Sequence, residues 1–298
     1  MTLIDSVRQW VIENIPYDRA DSEIVTYLDS RTAHDLLVIY HNWMSRFPRP
    51  QPREVRRSKA FAQNPIVAQR SGDLNRLIES VESGVDLRKY LSTRVNVAVE
   101  IPGKPSNQRC DLDLMLNDWG VHHLHISSVV QPDGFVTRDG PLLFMIFRPQ
   151  VAYFIDVMTH KDWNSDHVLG VLVDEWPDEG VIYELRGLLP QERNLTDSDR
   201  QTLRNKHVNA LFFCRGKVYC PIGMLSTAGT TIAATRDSDL LLRKIENFEA
   251  DFLKDRKKFE DAFQASKLVL PMCPSFRFAI RENGCGLIEE QTKAWIAL

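Results

Sequence analysis

The chain has 298 residues, 43% hydrophobic and 26% charged, which places it among folded globular proteins with room for one large domain or two ordinary ones. A formal net charge of -3 gives no global attraction to phosphate, so a nucleic-acid partner has to be met by a local basic patch. Five scattered cysteines without a Cys-x-x-Cys spacing predict reduced thiols, mostly buried, while the lack of a signal peptide or a membrane span of roughly 20 apolar residues predicts a cytoplasmic protein with no membrane partner.

Residues 2–15 place Leu3, Val7, Trp10, Val11 and Asn14 at helical intervals, and residues 32–47 do the same with Ala33, Leu36, Leu37, Tyr40, Trp43, Met44 and Phe47. Both predict amphipathic helices. Pro48, Pro50 and Pro52 end the second and favour an extended path. That path is basic, with Arg46, Arg49, Arg53, Arg56, Arg57 and Lys59 against the single acid Glu54. Arg49, Arg53, Arg56, Arg57 and Lys59 could clamp a nucleic-acid backbone, because guanidinium forks match phosphate oxygens. The plainer alternative is a solvated linker whose arginines pair with acidic helices elsewhere. A further helix is expected in residues 71–91, with Leu74, Leu77, Ile78 and Val81 on one face and Gly84 as its stop. The Gly- and Pro-bearing loop at residues 102–107 then divides a helical amino-terminal region, 1–100, from an α+β domain, 101–298.

From residue 121 the period changes. Val121-His122-His123-Leu124-His125-Ile126-Ser127 alternates, turns are marked at residues 131–134 and 138–141, and residues 142–148 and 151–159 are rich in branched and aromatic side chains. A three-strand antiparallel meander is the expectation, followed by a helix packed on it at residues 166–176. An extended piece at 181–186, a short helix capped by Thr196 and a hairpin over 210–220 turning at Arg215-Gly216 come next. A Gly- and Thr-rich loop, 223–231, precedes the longest helix, expected over residues 237–263, and the tail beyond Pro271 is less patterned. The fold class is α+β: a helical front, a central antiparallel sheet with a packed helix, and a long helix behind.

The chemistry concentrates in His122, His123, His125 and His160. Strand alternation puts His123 and His125 on one face and His122 with Leu124 and Ile126 on the other. His123 and His125 could share proton transfer with His160 in RNA cleavage, with Arg148 and Lys161 stabilising the phosphate and Tyr153 nearby, since histidine can act as acid or base near neutral pH. No cofactor or metal is required for that chemistry. A metal-dependent hydrolase is the other catalytic option, with Asp111, Asp113, Asp156 or His160 completing a ligand set. The structural alternative has His122 in the core, His123 and His125 on the sheet surface, and Asp156 or His160 capping the turn into the next helix. The loop at 223–231 lacks the Lys of a P-loop and the order of a dinucleotide site, and reads as a loop or interface turn.

The run Asp118-Trp119-Gly120-Val121-His122-His123-Leu124-His125, with Gly140-Pro141-Leu142-Leu143-Phe144 and Ser226-Thr227-Ala228-Gly229-Thr230, resembles motifs of a set of bacterial proteins without an assigned function. Over residues 121–163 alone, strand order and polar placement are similar to the sheet of RelE and HigB-type ribonuclease toxins, with histidines where that family has arginine-rich strands. The resemblance implies a metal-independent endoribonuclease of toxin or phage-defence type, acting on RNA and kept in check by an antitoxin or regulatory protein. The remaining option is a non-enzymatic module that binds nucleic acid or protein through the basic segment.

Overall fold

The computed structural model describes residues 2–101, 111–159, 162, 165–189, 195–282 and 284–298. In chain order, helices α1 (Leu3–Asn14), α2 (Ser22–Asp29) and α3 (Ala33–Met44) are followed by strand β1 (Glu54–Arg57) and helices α4 (Lys59–Gln63), α5 (Pro65–Gln69) and α6 (Ser71–Ser83). Helix α7 (Leu114–Trp119) leads into strands β2 (His122–His125), β3 (Leu142–Phe147) and β4 (Val151–Met158), then helix α8 (Asp166–Glu175). After β5 (Ile182–Glu184) and α9 (Asp197–Asn205) come β6 (Phe212–Cys214), β7 (Lys217–Pro221), α10 (Ile232–Lys254), α11 (Arg256–Ala265), β8 (Phe276–Arg281), β9 (Gly284–Glu289) and β10 (Trp295–Ala297). The class is α+β, as the alternating periodicities imply.

Spatial contacts group the chain into two compact units, one of residues 1–41, 98–106 and 234–298, the other of residues 42–97 and 107–233. In the first, the Thr2 capping box starts α1, and Trp10 meets Tyr40 and Phe278 edge-on. The tail that lacked pattern in the sequence forms an antiparallel sheet ordered β10-β9-β8. Its hub is Glu289, fully buried, whose carboxylate accepts from the backbone N–H groups of Ser275, Gln291 and Thr292 and from the Thr292 hydroxyl. The single long helix expected over 237–263 is two, because Asp255 leaves helical geometry and caps α11 through Lys258 N–H.

The second unit is built on a four-stranded sheet ordered β1-β4-β3-β2. Strands β2, β3 and β4 form the antiparallel meander, and β1, drawn from the proline-bounded basic segment, pairs parallel to β4. Both faces are covered. Leu124, Ile126, Leu143, Met145, Phe154 and Val157 pack with Leu74, Leu77 and Val81 of α6 on one face; Val121, Leu142, Phe144, Ile146 and Ile155 pack with Val168, Leu169 and Leu172 of α8 on the other. A second antiparallel sheet, β5-β7-β6, contains the Arg215-Gly216 hairpin. Gly84 ends α6 in the left-handed region, as expected of a C-terminal glycine. Cys273 is exposed and Cys214, Cys220 and Cys285 are partly buried free thiols, so these cysteines lie nearer the surface than composition suggested. Among the described residues, no helix is long and apolar enough to cross a membrane.

Candidate functional site

The Asp118-Trp119-Gly120 turn is the end of α7. Gly120 adopts φ +72° there, and a Cβ on it would lie 2.5 Å from Ile222 Cγ1, so both backbone and packing demand glycine. The loop at 223–231 is spent on the same turn: Gly223 passes against the Asp118 carbonyl, and Asn117 Nδ2 donates to the Gly229 carbonyl at 2.8 Å. That loop is a packing element of α7.

Strand β2 then divides its histidines between the two faces. His123 pairs with Phe144 and His125 with Leu142, both on the α8 side, whereas His122 pairs with Met145 and meets the Phe147 ring edge-on at 5.1 Å. The alternation read from the sequence is the alternation observed. What differs is the cover: His123 is 7% and His125 4% exposed, so neither lies on an open sheet surface. His123 Nδ1 stands 3.6 Å from Asp113 Oδ2, the N-cap carboxylate of α7. Burial holds His122 down to about 4, with the Ser45 backbone its polar neighbour.

Arg148 does not join them. It follows β3 at the far end, four residues beyond the Phe144 partner of His123, or about 13 Å along the strand. Its surroundings are structural: its carbonyl accepts from Arg53 Nε at 2.9 Å, and nearby Tyr153 donates to Glu179, which also pairs with Arg56. His160 and Lys161 lie outside the described residues. Among the described residues, no three His, Cys, Asp or Glu side chains are grouped to hold a metal ion.

The basic segment separates into structural and exposed members. Arg53 is buried, its guanidinium bonded to the carbonyls of Arg49, Gln51 and Arg148 and resting over the Phe147 ring. Arg56 is engaged by Glu54 and Glu179. Arg49, Arg57 and Lys59 face solvent, Lys59 with Glu175 at 3.9 Å.

The pair with the geometry of an acid–base device is one that motif reading passed over. Asp156, almost fully buried near the end of β4, lies 2.7 Å by its Oδ2 from Nε2 of His167, in the first turn of α8. Asn64 Nδ2 donates to the other carboxylate oxygen at 2.7 Å and to the Val157 carbonyl at 2.8 Å, while its own oxygen caps α5. The His167 side chain is 46% exposed, so a substrate can reach it. Burial alone would raise the Asp156 carboxyl, but hydrogen bonds from His167, Asn64 and Val157 N–H outweigh it and hold the group below its ordinary value. The bond to Asp156 raises His167 in turn, against partial burial. The available signal was the single acid inside Val151-Ala152-Tyr153-Phe154-Ile155-Asp156-Val157-Met158, an otherwise apolar strand.

Asp156 and His123 flank Phe144 in one row of the sheet, about 10 Å apart by strand spacing. No family model, curated protein or solved structure matches the chain. The site therefore rests on its own geometry.

Proposed function

We propose that the chain is a metal-independent endoribonuclease whose proton donor is His167, held by Asp156, which favours its protonated form. The observation that carries this reading is the 2.7 Å contact between a buried carboxylate and a half-exposed imidazole. In the reaction, the RNA 2′-hydroxyl oxygen forms a bond to the adjacent phosphorus and its proton passes to water. The bond from phosphorus to the 5′-oxygen breaks, and His167 supplies the proton that this leaving oxygen takes. The products are a 2′,3′-cyclic phosphate and a 5′-hydroxyl. His123 and His125 become supports of the sheet in this reading, because both are enclosed.

The test is cleavage of total RNA by purified protein in chelator, compared with His167→Gln and Asp156→Asn. Loss of cleavage in both variants, with retained folding, is the expected result. Undiminished cleavage in His167→Gln overturns the assignment.

A second reading is a nucleic-acid-binding module without catalysis, favoured by the solvent-facing cations Arg49, Arg57 and Lys59. It expects a salt-dependent gel shift that weakens when Arg57 and Lys59 are neutralised, with no cleaved product.

A further inference from the structure

Helix α9 is bound in an unusual way. Its sequence, Asp197-Ser198-Asp199-Arg200-Gln201-Thr202-Leu203-Arg204-Asn205, holds one apolar residue, Leu203, which is only partly buried. The residues it buries are Arg200 and Arg204, one helical turn apart and 3% and 4% exposed. Arg204 Nε meets Asp118 Oδ2 at 2.9 Å and its guanidinium lies 4.2 Å from the centre of the Trp119 ring. Arg200 pairs with Asp166 at the start of α8 and rests over Phe212. Burial works against each partner of the first pair, raising Asp118 and lowering Arg204.

An apolar stripe would hold a helix by area removed from water, but a buried ion pair returns little net free energy after desolvation. Helix α9 has one such pair, Arg204–Asp118, a second, Arg200–Asp166, whose carboxylate is partly exposed, and almost no stripe, although its Thr196 capping box makes it a well-formed helix. An element docked in this way opens locally well below the global unfolding free energy. Once open, its four charges are hydrated and screened, so salt favours the open form.

We infer that α9 is a releasable strap, held by Arg200 and Arg204, whose opening uncovers Asp118 and Trp119 at the end of α7 while the four-stranded sheet stays intact. One anchor, Asp166, adjoins His167 in the first turn of α8, but the device is read by amide exchange and not by cleavage, so its failure is distinguishable from failure of the catalytic reading.

The test is native-state hydrogen exchange read by mass spectrometry on the full chain. At about 1 M potassium chloride, amides of residues 197–206 are expected to exchange about tenfold faster than at about 0.05 M, while those of β3 do not change. Asp166→Asn, which leaves the core untouched, is expected to give about the same tenfold acceleration at low salt and to flatten the salt response. Equal protection of α9 and β3 at both salt concentrations overturns the proposal, as does an Asp166→Asn protein that exchanges like the wild type.

Discussion

The imidazole of His167 and the carboxylate of Asp156 meet at 2.7 Å, joining the first turn of α8 to the end of β4. The pair shapes stability as well as chemistry. His167 is raised in the folded state, so its contribution is fully present below its unfolded value of about 6.5 and is lost as pH rises through the folded value. Asp156 is lowered, so its contribution is present above about 3.9 and is lost as pH falls through its folded value. Urea unfolding of wild type and His167→Gln should therefore differ most between about pH 4 and 6.5 and converge in mild alkali. A difference that grows with rising pH would contradict the assignment.

His122 acts in the opposite sense. Held to about 4 by burial, it stays neutral in the native state while the unfolded chain takes up a proton below about 6.5. Wild type should lose roughly 3 kcal/mol between pH 7 and pH 4 from this group alone. Replacement by leucine, His122→Leu, should remove that part of the acid sensitivity, read as a shallower fall of unfolding free energy over the same range.

Arg53 and Arg57 belong to one basic run but should behave differently. Arg53→Met leaves the carbonyls of Arg49, Gln51 and Arg148 without their shared donor, and is expected to lower unfolding free energy by roughly 2–4 kcal/mol. Arg57→Ala is expected to leave stability within about 0.5 kcal/mol of wild type, because its side chain faces solvent. Chemical denaturation separates the two.

Gly120→Ala tests the turn at the head of β2. The left-handed φ and the contact with Ile222 together should cost about 1–3 kcal/mol, seen as a lower denaturation midpoint with an unchanged denaturant slope.

Local pattern carried much of this fold into the sequence. Helices α1, α3, α6 and α8, the meander β2-β3-β4 and the 215–216 hairpin all follow from periodicity and turn residues that act within a few positions. The pairing of β1 with β4 joins residues almost a hundred positions apart, and nothing in Glu54-Val55-Arg56-Arg57 specifies that partner. The tail sheet is not announced although Phe276, Phe278 and Ile280 do alternate, because Gly284 and Gly286 interrupt the apolar pattern of β9 and the third strand, Trp295–Ala297, is short. The break at Asp255 has no proline or glycine to announce it.

The site was legible only in part. Alternation placed His123 and His125 on one face correctly, but their enclosure depends on α7 and α8 packing over that face, which is tertiary. Their distance from Arg148 depends on register, which only the observed β2-β3 pairing fixes. His167 escaped notice because its partner lies eleven residues earlier, on a different element.

In the proposed reaction His167, fixed by Asp156, delivers a proton during RNA cleavage. The most direct measurement is the pH profile of cleavage of a short defined RNA in chelator, for wild type and Asp156→Asn, with folding of each verified by circular dichroism. Wild-type cleavage should fall on the alkaline side with an apparent pKa above about 6.5, and Asp156→Asn should shift that limb to lower pH. Cleavage with the same alkaline limb in both proteins, or no cleavage by folded wild type at any pH, would contradict the claim.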